Sequence, residues 1–227
     1  MDGDLLEVRR IDLKERQLSF LSLSRRHSGA YSSVNLAIDH EAKRQVACKT
    51  IVRRTQADIE DVLKEVELLR KLRHVRILSQ LSPDSPNINA VYGFESSGDN
   101  LHIFLELATG GDLFSYMAKY GSLCEAESKY IAFQLMKGLQ YIHQLLISHR
   151  DLKPENVLLS KPTRFPRVVI ADFGLAREQA YEPTANVAGT VSYLPPEAVD
   201  AITWKQKYSS ESTDAWALGL IVFIMLK

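Results

Sequence analysis

The stretch that most restricts the folds open to this chain is a polar string, Ser148-His149-Arg150-Asp151-Leu152-Lys153-Pro154-Glu155-Asn156-Val157-Leu158-Leu159. It is set between a helical pattern and a β-branched run. Upstream, Glu125 to Leu146 places Ile131, Leu135, Leu139 and Ile142 at helical spacing, so a core helix is expected to deliver the chain to the string. Downstream, Val168-Val169-Ile170 reads as a short strand and runs into Asp172-Phe173-Gly174. A helix-to-strand loop that merely happens to be polar would not call for a second aspartate just past the next strand.

His149, Arg150, Asp151, Leu152 and Asn156 fill every fixed position of H-R-D-L-x-x-x-N, and Asp172-Phe173-Gly174 follows as D-F-G. On these strings the chain resembles eukaryotic protein kinases. The resemblance implies that Asp151 accepts the proton of an acceptor hydroxyl and that Lys153 sets a fixed cation beside the transferring phosphate. It further implies Asn156 and Asp172 as ligands of Mg²⁺, with ATP as phosphate donor and proteins with Ser or Thr acceptors as substrates.

The fold implied is α+β and two-lobed, with a small β-rich N-lobe carrying one main helix and a larger helical C-lobe. Residues 1–17 read as a lead-in and 18–227 as the kinase domain, with the N-lobe at 18–106 and the C-lobe at 109–227. Leu18 to Ala37 reads as strand, turn, strand, with Ser28-Gly29-Ala30-Tyr31-Ser32-Ser33-Val34 in the turn, and Val46-Ala47-Cys48-Lys49 lies on the next strand. These resemble the glycine-rich loop and V-A-I-K strand that hold ATP, which places Gly29, Val34, Ala47 and Lys49 at the nucleotide. Aligning Val34 with the motif's valine puts His27 and Ser32 where the first and third glycines belong, and a side chain there limits how closely backbone approaches phosphate.

Ile59 to Arg73 is an amphipathic helix by the spacing of Ile59, Val62, Leu63, Val66, Leu69 and Leu72. By resemblance, Glu65 on it pairs with Lys49, while Glu67 is a surface carboxylate. Val75 to Ser85 is an insertion before Pro86-Asn87-Ile88, expected to form a surface loop. Asn89 to Phe94 and Asn100 to Glu106 form a hairpin around Ser96-Ser97-Gly98-Asp99. The next residues look like the kinase hinge, where backbone groups of Glu106 and Ala108 would meet adenine, Leu105 would be the gatekeeper and Leu158 would line the nucleotide. Asp112 is an N-cap by position and would also reach the ribose or a basic substrate residue.

Gly189-Thr190-Val191-Ser192-Tyr193-Leu194-Pro195-Pro196-Glu197 resembles G-T-x-x-Y-x-A-P-E with Pro195 in place of Ala, and Thr190 with Lys153 is typical of serine/threonine kinases. Asp214-Ala215-Trp216-Ala217-Leu218-Gly219 matches the D-x-W-x-x-G helix that anchors the catalytic loop. Arg150 would pair with an activation-loop phosphate. Related kinases carry that threonine where this chain has Asn186, so Thr184 is the expected regulatory site. Within the family the chain looks most like the calcium/calmodulin-dependent-kinase group, and in it like fungal checkpoint and meiosis-specific kinases that carry a forkhead-associated domain. Glu155 and Asp112 would then favour an arginine before the acceptor.

Ala215 to Leu226 is almost wholly apolar, yet far short of the roughly 20 residues a membrane span needs, so a buried core helix is expected. The chain stops at Lys227, so the C-lobe is expected to lack its last helices and the arginine that would pair with Glu197, leaving an apolar patch. Lys plus Arg and Asp plus Glu are equal at 28 each, which gives no charge-based reason for a nucleic-acid or anionic-membrane partner. Cys48 and Cys124 carry neither metal-ligand spacing nor a disulfide framework, and Met1-Asp2-Gly3-Asp4 has no apolar signal core. An intracellular setting, nucleus or cytoplasm, is expected. The competing reading is a non-catalytic pseudokinase, scaffold or inactive fragment, on the altered glycine loop and the C-terminal stop.

Overall fold

The computed structural model describes residues 8–12, 17–21, 32–40, 42–52, 64–69, 71–72, 87–178, 184, 186–204 and 207–227. They belong to two units, one comprising Met1–Arg73 and Ala90–Leu107, the other His74–Asn89 and Ala108–Lys227.

The first unit is a six-stranded sheet in the order β1-β2-β3-β4-β6-β5. Its strands are β1 (Val8–Asp12), β2 (Gln17–Leu21), β3 (Ser32–Asp39), β4 (Arg44–Val52), β5 (Val91–Ser97) and β6 (Asn100–Glu106), every neighbouring pair antiparallel. The period of two in β4 decides the faces: Val46 and Cys48 are buried with Ala37 and Phe104, and Tyr92 packs against them. Arg44 closes the β3–β4 turn by donating to Asp39 Oδ2 at 3.3 Å and lays its guanidinium 3.5 Å from the Tyr92 ring centroid. The segment read as a lead-in contributes β1, paired from Val8↔Leu21 to Asp12↔Gln17. A charged sequence is what sheet edges tolerate best. Helical residues 64–69 and 71–72 (α1) bury Val66, Leu68, Leu69 and Leu72 and expose Glu67. The glycine-rich turn at 22–31, with Gly29, and the insertion at 75–85 lie outside the described residues.

Besides Asp39, which Arg44 pairs, the described part of this sheet buries His102. His102 is 7% exposed, its Nδ1 lies 2.9 Å from Thr50 Oγ1, and Cys48 Sγ is 3.9 Å away. Burial pulls the His102 imidazole below its ordinary 6.5 and, offset slightly by Thr50, pushes the Cys48 thiol up to about 12. The fold therefore holds neutral histidine, whereas the unfolded chain takes up a proton near the ordinary value. Stability from this site is complete above pH 6.5 and is lost as pH falls below it. Glu95, opposite His102 in register and raised by burial, favours its protonated form and opposes the trend at more acidic pH. Thermal midpoints are expected to fall between pH 7 and about pH 5.5, with a shallower slope in His102→Gln. Equal slopes in both proteins would contradict this.

The second unit contains α2 (Leu113–Tyr120), α3 (Glu125–Gln144), α4 (Pro196–Trp204) and α5 (Ser210–Leu226) with four short strands. Strands β7 (Ile147–Ser148) and β10 (Arg177–Glu178) pair, as do β8 (Val157–Leu159) and β9 (Val168–Ile170). Ile131, Leu135, Ile142, Ile147, Leu159, Ile170, Ile221 and Met225 are all under 2% exposed, each such side chain contributing about 1.5–3 kcal/mol. Helix α3 ends at Gln144, followed by Leu146 at φ +59°, a turn that starts the chain back into β7.

Asn87, Ile88 and Asn89, read with the N-lobe, group with the second unit. Asn87 Nδ2 donates to Val168 O at 2.7 Å and to Gln134 Oε1 at 3.0 Å, and Asn89 N donates to Ile170 O at 2.9 Å. Helix α5, expected as a core helix that leaves an apolar patch, buries the stripe Ser210, Thr213, Asp214, Ala217, Ile221 and Met225 and leaves Trp216, Phe223, Ile224 and Leu226 exposed. An apolar composition all round hid which face was the inner one. No described helix is long and apolar enough to cross a membrane.

Candidate active site

The polar string is held in an unfavourable shape by a buried carboxylate. Arg150 sits at φ +68° and Asp172 at φ +62°, a region costly for residues with side chains. Asp214, fully buried at the start of α5, accepts from His149 N and Arg150 N at 2.8 Å each and lies 2.8 Å from His143 Nε2. Two consecutive amides on one carboxylate offset the cost at Arg150 with charge-assisted bonds. His149 is itself fully buried, its Nε2 2.9 Å from Ala171 O and its ring edge-on to Phe173. The string is thereby tied to the residues that precede and follow Asp172.

Asp151 stands at the centre of a converging set of donors. Its Oδ2 accepts from Lys153 Nζ at 2.8 Å and Asn156 Nδ2 at 3.2 Å. Its Oδ1 accepts from Thr190 N at 2.8 Å and Thr190 Oγ1 at 2.7 Å, and that hydroxyl accepts from Lys153 Nζ at 2.8 Å. Thr190 was noted in the sequence as a marker of class but not as a partner of Asp151. The signal for it was the glycine before it. Gly189 lies at φ +115°, and a Cβ there would sit 2.3 Å from Arg150 O, so only glycine lets the segment approach the string closely enough.

The same wiring bears on metal binding. Asn156 spends its amide hydrogens on Asp151 O at 2.8 Å and Oδ2, so its amide oxygen is the group turned to other use. Ala171 N donates to the main-chain carbonyl of Asn156 at 2.9 Å, so Asp172, exposed, directly follows a residue bonded to the Asn156 backbone. One amide oxygen and one carboxylate suit Mg²⁺, which takes few protein ligands and completes its shell with phosphate and water. Among the described residues there is no cluster of three or more His, Cys, Asp or Glu that could hold a metal ion.

In the first unit, Lys49 Nζ donates to Glu65 Oε1 at 3.0 Å, with both side chains largely buried. Register puts Val34 opposite Lys49 and Leu105 opposite Ala47, so these four share one face of the sheet, the reverse of the Val46–Cys48 core face. Glu106 N is committed to the sheet, donating to Ala90 O at 2.8 Å, so the amide of that hinge residue is not open to adenine. In the second unit, the residues after Ala108 are stitched to β8. Thr109 N donates to Ser160 O, Gly110 N to Leu159 O, and Leu158 bridges to Asp112. Gly110 permits this closeness, since a Cβ would meet Lys161 O at 2.5 Å. Asp112 caps α2, both its oxygens accepting from Ser115 N and Oγ at 2.7 and 2.9 Å. The capping role is thus realised, and Glu155, exposed, carries less restraint.

Thr184, the candidate regulatory threonine, is buried in this conformation. It is 7% exposed, exchanges backbone hydrogen bonds of 2.9 Å with Tyr208, and its Oγ1 accepts from Asn186 N at 3.0 Å. A hydroxyl so placed is closed to a modifying enzyme. Sequence distance concealed this, because Tyr208 lies 24 residues further on. Glu197, expected to lack its arginine partner, accepts from Ser212 Oγ at 3.2 Å.

The Asp151 carboxylate, held by a lysine, an asparagine and a threonine, lies in the string that carries the likeness to protein kinases. Residues 27–227 match the family model described as protein kinase domain, and the chain belongs to that family. It is 34% identical over 200 residues to calcium/calmodulin-dependent protein kinase type 1B of Rattus norvegicus, covering 88% of this chain and 54% of the relative. It is 36% identical over 211 residues to the meiosis-specific serine/threonine-protein kinase mek1 of Schizosaccharomyces pombe, covering 87% and 44%. Myosin light chain kinase A of Dictyostelium discoideum is 34% identical over 201 residues, covering 87% and 63%. The chain spans about half the length of the curated relatives it matches.

Proposed function

We propose that this chain is the catalytic part of a protein serine/threonine kinase that transfers the γ-phosphate of ATP, with Mg²⁺, to hydroxyls of protein substrates. The observation that carries the reading is the Asp151 carboxylate, aimed by Lys153, Asn156 and Thr190 in one connected network. In that role Asp151 takes the proton of the attacking hydroxyl, and Lys153 offsets charge on the moving phosphoryl group. Asn156 and Asp172 would hold Mg²⁺, which screens the phosphate charge when bound. Lys49, fixed by Glu65, would orient the phosphates, with Val34, Ala47, Ala108 and Leu158 around the nucleotide.

The likeness to calcium/calmodulin-dependent and meiosis-specific kinases supports placement in the first of those groups, and a signalling or checkpoint role in the nucleus or cytoplasm is part of the same proposal. A preference for arginine before the acceptor rests mainly on exposed Glu155, since Asp112 is occupied by Ser115. An arrayed peptide library incubated with labelled ATP and Mg²⁺ tests these points. Label is expected on Ser and Thr but not Tyr acceptors, with arginine enriched before them. Label on tyrosine would contradict the class, and flat arginine usage would remove the preference.

A further inference from the structure

The buried side of Arg150 faces the activation segment, and the group it meets there is main chain. Arg150 Nη2 donates to Asn186 O at 2.7 Å. The same carbonyl accepts from the Tyr208 hydroxyl at 3.3 Å, so both its lone pairs are used by buried donors. Tyr208 is 5% exposed and belongs to a small core with Leu194, Ala198 and Ala201, against which Val187 packs. Its backbone is bonded twice to Thr184, and Thr184 Oγ1 accepts from Asn186 N. Asn186 is therefore gripped at its N–H and its C=O. Four residues on, Thr190 reaches Asp151.

We infer that Tyr208 is a positioning residue for Asp151, and that with the Asn186 carbonyl it holds Arg150 and the segment from Asn186 to Thr190 in working order without a phosphate on this chain. The inference rests on the kinase reading above and adds the means by which its site is kept assembled. Ordering this segment needs a partner for the buried guanidinium and an anchor for the backbone, because an unpaired buried charge is costly. The carbonyl supplies the first, and Tyr208 supplies the second, its hydroxyl fixing that carbonyl while its ring and backbone hold the hydroxyl in place. Burial lowers the Arg150 pKa, and the nearby Tyr208 hydroxyl works against that shift. Arg150 Nε and Arg177 Nη1 have no partner among the described residues, which makes a bound anion the rival account of how the segment is ordered.

The test uses the whole chain, freed of phosphate by a phosphatase and checked by intact mass, alongside the Tyr208→Phe variant, which keeps the ring and loses only the hydroxyl. Hydrogen exchange over 186–190 and steady-state transfer to a Ser peptide are measured on both. The phosphate-free wild type is expected to exchange slowly there and to keep its turnover. Tyr208→Phe is expected to exchange faster over 186–190 and to lose kcat by about fivefold, with its KM for ATP, its thermal midpoint and the exchange of its α3 core unchanged, whereas a smaller folded fraction would lower the midpoint and speed exchange throughout. Loss of protection on phosphatase treatment would overturn the inference, as would its recovery only with added inorganic phosphate, or a Tyr208→Phe variant indistinguishable in exchange. Protection without any transfer by the wild type would count against the kinase reading while leaving the clamp in place.

Discussion

Replacing Asp214 by asparagine is expected to lower the unfolding free energy of the chain by about 3–5 kcal/mol and to abolish ordered structure in the polar string. The expectation follows from what the carboxylate holds. It is fully buried and accepts from two successive amides, His149 N and Arg150 N, with His143 Nε2 also at 2.8 Å. An asparagine keeps the shape but turns an NH₂ group toward donors that need an acceptor, so at least one buried amide is left unsatisfied. Arg150, no longer held at φ +68°, then relaxes toward ordinary backbone angles, carrying Asp151 with it. Urea unfolding followed by tryptophan fluorescence reads the loss. A change below about 1 kcal/mol would mean that the loop is held by the packing of His149 and Phe173 rather than by this carboxylate.

Replacing Asp151 by asparagine is expected to act in the opposite way, sparing the fold and removing the chemistry. Asp151 is only partly buried, and the loop that carries it is anchored through its neighbours to Asp214. Asparagine can still accept from Thr190 N, but it cannot take a proton from an attacking hydroxyl, nor pair as an anion with Lys153. A positioned base contributes about 10²–10⁴-fold to such reactions, so kcat is expected to fall by about 10³-fold while the KM for ATP and the unfolding midpoint stay near wild type. An equal loss in stability would show that the carboxylate's partners depend on it structurally.

Some features of this chain were legible because chemistry demands residue types at fixed spacing. Asp151, Lys153 and Asn156 lie within one short loop, and the pairing of Lys49 with Glu65 followed from the resemblance to the kinase pattern. Other features were not legible locally. Thr184 stood out as the threonine nearest Asn186, yet its burial depends on Tyr208, and no local pattern predicts an isolated bridge across 24 residues. Asn87 and Asn89 joined the second unit through hydrogen bonds to β9, a partner that lies some 80 residues away. Long-range pairing, rather than local propensity, set the outcome in both. Helix α5 differs, because the apolar residues of its second half lie on every side and periodicity could not say that Ile221 and Met225 face inward and Phe223 and Leu226 outward.

The central claim is that the Asp151 network performs phosphoryl transfer, and a single-turnover measurement reaches it most directly. Enzyme in excess over labelled ATP, with Mg²⁺ and a Ser peptide carrying arginine before the acceptor, is quenched over time and the peptide analysed for phosphoserine. The account predicts stoichiometric, Mg²⁺-dependent phosphoserine from the wild type and only background from Asp151→Asn. ATP bound by both proteins, with the same background from each, would contradict it and leave a nucleotide-binding domain without turnover.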